Sequence, residues 1–187
     1  ASGQKTTASG EQSIAIGANT VSKGASSIAI GGDDLDTASK TNIDGTLSTG
    51  AFNSGGVNAA FNDYAGRDLL NTSDNYGGYT EAGGAASIAM GAKARSAGNL
   101  ATAIGIHSSA AGTASSAFGV GSSAAAKGSL ALGAGAQSII DDGVALGSRS
   151  VANVAGGALG FAPTSASVID KAAITATNST SLGAVSL

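Results

Sequence analysis

ATAIGIHSSAAGTASSAFG, residues 101–119, holds the fold in miniature. Gly105 and Gly119 close the same short phrase, an alanine followed by a large residue and then glycine, and the interval between them sets the period of the chain. Outward from this stretch the phrase recurs at Gly17, Gly31, Gly91, Gly133, Gly147 and Gly160, with successive spacings of 14, 60, 14, 14, 14, 14 and 13 over the whole series. A smaller glycine follows half a period later at Gly24, Gly98 and Gly112. A constant period in a constant local context is the mark of a solenoid, in which each unit buries its faces against its neighbours.

The columns of the repeat decide its secondary structure. Directly before the glycine stand Ile16, Ile30, Met90, Ile104, Phe118, Leu132, Leu146 and Leu159. One position earlier is an unbroken alanine column: Ala15, Ala29, Ala89, Ala103, Ala117, Ala131, Ala145 and Ala158. Before that come Ile14, Ile28, Ile88, Leu130 and Val144, with Thr102, Ser116 and Gly157 as smaller members. Alternation at period two is a strand pattern. After the glycine, small residues such as Ala92, Ala94 and Ser96 alternate with Lys93, Arg95, His107, Gln137 and Arg149, which predicts a second strand with small residues inward and polar ones outward. Two strands per coil, each closed by a glycine able to take positive φ, predict an all-β fold, a parallel β-roll of 14-residue coils rising about 4.8 Å each. A helix would lose about 1 kcal/mol at each of these glycines.

The first strand is apolar on both faces, and such a strand is expected to be covered on both. We assign the large residues (Ile16, Ile30, Ile104, Leu132, Leu146) to the roll interior and the alanines (Ala15, Ala29, Ala89, Ala103, Ala117, Ala131, Ala145) to a subunit interface; the reverse is the alternative. Either way one flat apolar ladder remains outside, and a patch of that extent predicts self-association.

Composition agrees with a thin structure. The chain has 30 glycines, one proline, no cysteine, no tryptophan and seven aromatics among 187 residues, too few large side chains for a wide core. Charged residues are 11%, against about 25% in ordinary domains. The net charge of −3 offers no basic footprint for nucleic acid. No apolar run approaches the ~18 residues of a membrane span, and no basic-then-apolar segment opens the sequence. No transmembrane helix or signal peptide is therefore expected within these residues.

Between Gly31 and Gly91 the period breaks. The organisation expected is 14-residue repeats over 1–31, an insertion over 32–86, further repeats over 87–161 and a transition over 162–187. The insertion holds Tyr64, Tyr76, Tyr79, Phe52 and Phe61, and its two bases against eight acids give −6, leaving +3 for the rest of a chain of −3. We expect it to be a small β-rich meander that clamps neighbouring coils, its aromatics forming a satellite core; the alternative is a loop on the binding face, where solenoid insertions often lie.

Catalytic chemistry lacks parts. His107 is the single histidine and cysteine is absent, so zinc sites and Ser-His-Asp or Cys-His arrangements have no partners. Asp33, Asp34 and Asp36 read as a solvated turn and not a calcium loop, because no calcium-binding nonapeptide recurs. No catalytic residue, metal or cofactor is expected. The outward basic positions Lys93, Arg95, His107 and Arg149 are the candidate ligand-binding residues, with His107 expected on the solvated surface.

The runs SIAIG, SIAMG, ATAIG, SSAFG, LALG and VALG resemble the head repeats of the trimeric autotransporter adhesins, the YadA-like family of Gram-negative bacteria. The resemblance covers residues 11–31 and 85–161, and the terminal STSLGAVSL is similar to the start of the ring or neck modules that follow such heads. It implies a left-handed roll, a homotrimer, and display on an outer-membrane-anchored fibre that attaches to host cells or extracellular matrix and promotes autoagglutination and biofilm. Three other readings compete. An ice-binding solenoid wants a regular threonine array, which the mixed outward columns lack. A hexapeptide-repeat acyltransferase wants period six. A purely structural spacer of a surface fibre needs no ligand at all.

Overall fold

The structure, a computed structural model, describes residues 1–70, 78–157, 162–176 and 185–186. Two parallel sheets of eight strands each lie back to back and share the chain alternately. The front sheet is built from Ile14–Ile16, Ile28–Ile30, Ile88–Met90, Thr102–Ile104, Ser116–Phe118, Leu130–Leu132, Val144–Leu146 and Val185–Ser186. The back sheet takes Thr7–Ala8, Thr20–Ser22, Thr80–Ala82, Arg95–Ser96, Ser109–Ala110, Ser123–Ala124, Gln137–Ser138 and Val151–Ala152. Register keeps like on like: Ala103 pairs with Ala117, and Ala117 with Ala131, each partner one period further along the chain.

The interior reverses the assignment made from sequence. Ala29, Ala89, Ala103, Ala117, Ala131 and Ala145 are 0% exposed, whereas Ile16, Leu132 and Leu146 are 46%, 42% and 41% exposed on the outer side of the same strands. The reason is thickness. Facing the alanines across the roll are only Ala82, Ser96, Ala110, Ala124 and Ser138, and the flanking inward positions are serine, threonine or alanine. Two short strands joined by two tight corners leave a gap that small side chains fill completely, with no room for an isoleucine. Buried hydroxyls close onto nearby carbonyls, as Ser27 Oγ does on Gly24 O at 2.7 Å and Ser129 Oγ on Ala126 O at 2.7 Å, Ser115 Oγ being the exception among the described residues. These bonds offset the cost of burying polar atoms.

The two corners use glycine differently. At Gly105 φ is +131°, a conformation L-residues avoid. Gly98 has no such φ; there a Cβ would sit 2.1 Å from the carbonyl oxygen of Gly112 in the next coil. The expectation of positive φ therefore holds at the first corner and fails at the second. What does adopt positive φ beside these glycines is two columns of non-glycine residues: Asn19, Lys93, His107 and Arg149 at one corner, and Gln12, Ser26, Ala86, Leu100, Ala114 and Asp142 at the other.

The insertion is helical, not β-rich. The chain leaves the front sheet after Ile30, forms α1 (Asp36–Lys40) and α2 (Gly56–Ala65), and re-enters the back sheet at Thr80. Asp34 starts α1 by accepting the Asp36 N–H at 2.9 Å. In α2 no glycine interrupts residues 57–65, Val57, Phe61 and Ala65 fall on one face, and Gly66 ends the helix at φ +67° with its N–H on Asn62 O. Leu35, Phe61, Leu69 and Leu70 form the satellite core, so leucine supplies most of it and Phe61 is its one aromatic. Asn53 and Asn58 fix the return segment. Asn53 bonds the N–H and C=O of Leu70 at 3.1 and 2.7 Å, and Asn58 accepts the Leu69 N–H at 2.8 Å.

After Ala152 the chain forms α3 (Val168–Ala176), and Val185–Ser186 then pairs with Val144 and Ala145 at the end of the front sheet. That is the place the sequence reserved for an eighth coil. Ala158, Leu159 and Gly160, which define that coil, lie outside the described residues, as do Asp74 and Tyr76 of the insertion.

Candidate functional site

Three surfaces carry side chains with something to bind. The first is the outer side of the front sheet. Residues flanking each buried alanine make two parallel columns along the roll: Ile14, Ile28, Ile88, Thr102, Ser116, Leu130 and Val144, beside Ile16, Ile30, Met90, Ile104, Phe118, Leu132 and Leu146. All are partly or well exposed. Like residues stack because the parallel register repeats them, so the surface is flat, apolar and uncharged along its length.

The second surface is the corner following the front strands, and the insertion lies along it. Ala92, Ile106 and Val120, the residues directly past their glycines, pack against the Leu35–Phe61–Leu69–Leu70 cluster. The next residue in each coil meets the insertion directly. The Lys93 stem lies under Gly78, and Lys93 is only 6% exposed. His107 Nε2 is 3.0 Å from the carbonyl oxygen of Leu69, its ring centroid is 5.4 Å from that of Phe61, and Arg67 Nη1 is 3.3 Å from its Nδ1. Since a carbonyl only accepts, Nε2 carries the proton and Nδ1 accepts from Arg67. Further along, a Cβ on Gly121 would fall 2.7 Å from the Ala65 Cβ, and one on Gly135 would fall 1.9 Å from the Tyr64 carbonyl oxygen. Arg149 ends the row with its guanidinium 5.3 Å from the Tyr64 ring centroid. Successive coils thus present Lys93, His107, Gly121, Gly135 and Arg149 to one strap.

This placement corrects the expectation that the four basic residues share one solvated outward face. Of the four basic residues named from sequence, Lys93, His107 and Arg149 contact the insertion, and His107 is half-buried beneath it rather than solvated. Arg95 lies on the back sheet, where its Nη2 meets Glu81 Oε2 at 2.8 Å. The mild basicity of the repeats and the acidity of the insertion are therefore partly used on each other. The aromatic residues follow the same pattern. Phe52 and Tyr64 are 48% and 44% exposed, and Lys40 lies 5.8 Å from the Phe52 ring centroid. They serve as cation partners more than as core.

The third surface is a charged bridge at the point where the insertion rejoins the roll. Glu81 takes Lys23 Nζ at 2.6 Å from the coil before and Arg95 from the coil after. Burial is the largest single influence on its carboxyl and opposes ionisation. The hydrogen bonds and charges of Lys23 and Arg95 together outweigh it, so the group titrates below its ordinary 4.5. Hydrogen bonding to Glu81 and then its charge raise Lys23 above 10.5. Asp68, held by the Asn58 and Asn62 amides at 2.9 and 2.8 Å, is also lowered. Sequence reasoning missed this bridge, although Lys23, Glu81 and Arg95 stand at neighbouring positions of the repeat once the insertion is taken out.

Among the described residues no group of three or more His, Asp or Glu side chains is placed to hold a metal ion. Asp141 and Asp142 form a coil corner, with the Lys127 N–H on Asp141 Oδ1 at 3.1 Å and Asp142 at φ +55°. No helix among the described residues is long and apolar enough to cross a membrane.

Comparison with known families gives one match, described as the YadA head domain repeat (2 copies), over residues 1–20, 8–33 and 110–136. Residues 1–33 and 110–136 match YadA-type head repeats, and the resemblance read from the phrases is supported over those stretches. No curated protein matches the chain.

Proposed function

We propose that the chain is a non-enzymatic adhesin head in which three copies associate through the outer faces of their front sheets. The observation that carries this is the double apolar column. Ile14, Ile16, Ile104, Leu132 and Leu146 are among the chain's exposed large residues, and parallel register gathers them onto one uninterrupted face. An elongated body with one apolar long face is satisfied by closed cyclic association. Left-handed coiling, display on an outer-membrane-anchored fibre, and attachment to host cells or extracellular matrix with autoagglutination follow from the YadA-type repeats as parts of the same reading.

Light scattering on the purified chain tests the assembly. A species with three times the mass of the 17.5 kDa chain is expected. A strictly monomeric species at micromolar concentration would reject it. Leu132→Lys, placing a charge on the face while leaving the alanine interior untouched, is expected to yield monomers that keep the β-sheet signal. Attachment is tested with a panel of immobilised matrix proteins, where failure to retain the chain on any of them counts against the adhesin reading.

A further inference from the structure

The corner ladder covered by the insertion from Lys93 to Arg149 continues toward the N-terminus, where its occupants are Lys5, Asn19 and Asp33. There the coils are flanked by the two ends of the insertion, Asp33 at its start and Gly78 and Tyr79 at its return. Lys5, Asn19 and Asp33 line a shallow pocket of about 190 Å³ together with Gly78 and Tyr79, the residues on which the insertion returns to the roll. That is smaller than the ~300 Å³ at which common ligand pockets begin and suits a ligand of about one ring.

The wall chemistry selects a ligand class. Asn19 Nδ2 donates to Asp33 Oδ2 at 2.7 Å, which fixes both side chains and leaves Asn19 Oδ1 and Asp33 Oδ1 as acceptors without a donor among the described residues. Lys5 supplies donors, and it makes no salt bridge among the described residues. Its charge balances that of Asp33, so the pocket selects neither an anion nor a cation. Tyr79 contributes a ring held in place by Lys23, whose Nζ is 5.6 Å from the ring centroid and 3.5 Å from the phenol oxygen. A planar amide–carboxylate pair, a flexible ammonium and an aromatic ring, with no net charge and no aliphatic residue in the lining, complement a ligand rich in hydroxyls and carrying apolar C–H faces.

We propose that this pocket binds a neutral hexose-type sugar, its hydroxyls donating to Asp33 Oδ1 and Asn19 Oδ1 and accepting from Lys5. The site rests on the attachment reading and deepens it by giving it a ligand class. Asp33 fixes the sugar, and Tyr79 supplies the surface on which the ring lies.

Calorimetric titration of the full chain with galactose, glucose and mannose, alongside an array of neutral and sialylated glycans, tests it. Saturable binding of a neutral sugar is expected, with Asp33→Ala weakening it at least ten-fold and Tyr79→Ala weakening it to a similar extent. Binding of free monosaccharide places the whole recognition element in the pocket; binding of array glycans alone shows that flanking sugars contribute. Absence of any neutral-sugar binding overturns the proposal, as does binding unaffected by Asp33→Ala or confined to sialylated glycans. If Asp33→Ala loses β-sheet signal, Lys5→Ala, at an exposed side chain, takes its place with the same expectation. A chain that assembles as a trimer and holds matrix proteins yet binds no sugar rejects this site alone. A monomeric chain rejects the head reading and leaves the titration to stand by itself.

Discussion

The coils and the insertion solve the same problem with opposite means. A coil has almost no side-chain volume to bury. Its interior is alanine and serine at 0% exposure, and its cohesion comes from backbone ladders repeated with an unchanged partner. The insertion has little ladder of its own and behaves as an ordinary small domain, with a Leu–Phe cluster, two helices and asparagine side chains standing in for backbone partners. The contrast teaches where each region is vulnerable: the coil to added volume, the insertion to lost volume.

The largest effect is expected inside a coil. Ala117→Leu puts an isobutyl group where both neighbouring coils present alanine and the opposite sheet offers Ala110 and Ala124. Overpacking costs about 1–3 kcal/mol and occasionally more, and an interior with no larger neighbour to yield puts this site at or above the top of that range. We expect loss of cooperative melting by circular dichroism; a near-normal melt would show that the roll can widen and would undo the account of its thickness. Phe61→Ala comes next, at about 3 kcal/mol. Its cost is expected to stay local, so hydrogen exchange should quicken across residues 56–70 while strands such as Leu130–Leu132 keep their protection. Equal loss in both regions would show that they unfold as one.

The smallest effect probes the seam between them. Glu81→Gln is expected to cost about 1 kcal/mol, since its partners are largely exposed, or roughly 2–4 °C in melting temperature for a chain of this size. The Glu81 carboxyl titrates below its ordinary value in the folded state, so its contribution is complete above about pH 4.5 and is lost as pH falls through the lowered value. The difference in melting temperature between wild type and Glu81→Gln should therefore shrink below pH 4.5. A difference that stays constant from neutral pH into the acid range would show that the bridge contributes nothing.

The repeat made the coils readable because every column is sampled several times. The two-stranded coil and the likeness of stacked residues follow from Ala15, Ala29, Ala89 and their successors alone. Which face points inward did not follow, because periodicity is blind to thickness. The deciding information was in the second strand, where Ala82, Ser96, Ala110 and Ala124 are all too small to face a large partner across a wide gap. The insertion occurs once, and its helix was hidden behind its aromatics. The spacing of Val57, Phe61 and Ala65 before Gly66 was the available signal. Lys93, His107 and Arg149 looked like an exposed basic face because nothing in their own coils says that a segment far upstream lies over them. Gly121 and Gly135 held the clue, as the two rungs of that column lacking a side chain, at the places where the Ala65 side chain and the Tyr64 carbonyl press closest.

Solenoids commonly drift in copy number, since a unit can be gained or lost wherever identical neighbours meet. The strap withdraws that freedom from part of this chain. Each coil advances the ladder by about 4.8 Å, so removing one between His107 and Arg149 would slide the remaining rungs past a helix of fixed length. Tyr64 would lose its guanidinium or meet a side chain where it needs glycine. The section from Lys93 to Arg149 is thereby measured to length by a segment that lies outside the repeat, and variation in the number of coils belongs beyond its two ends.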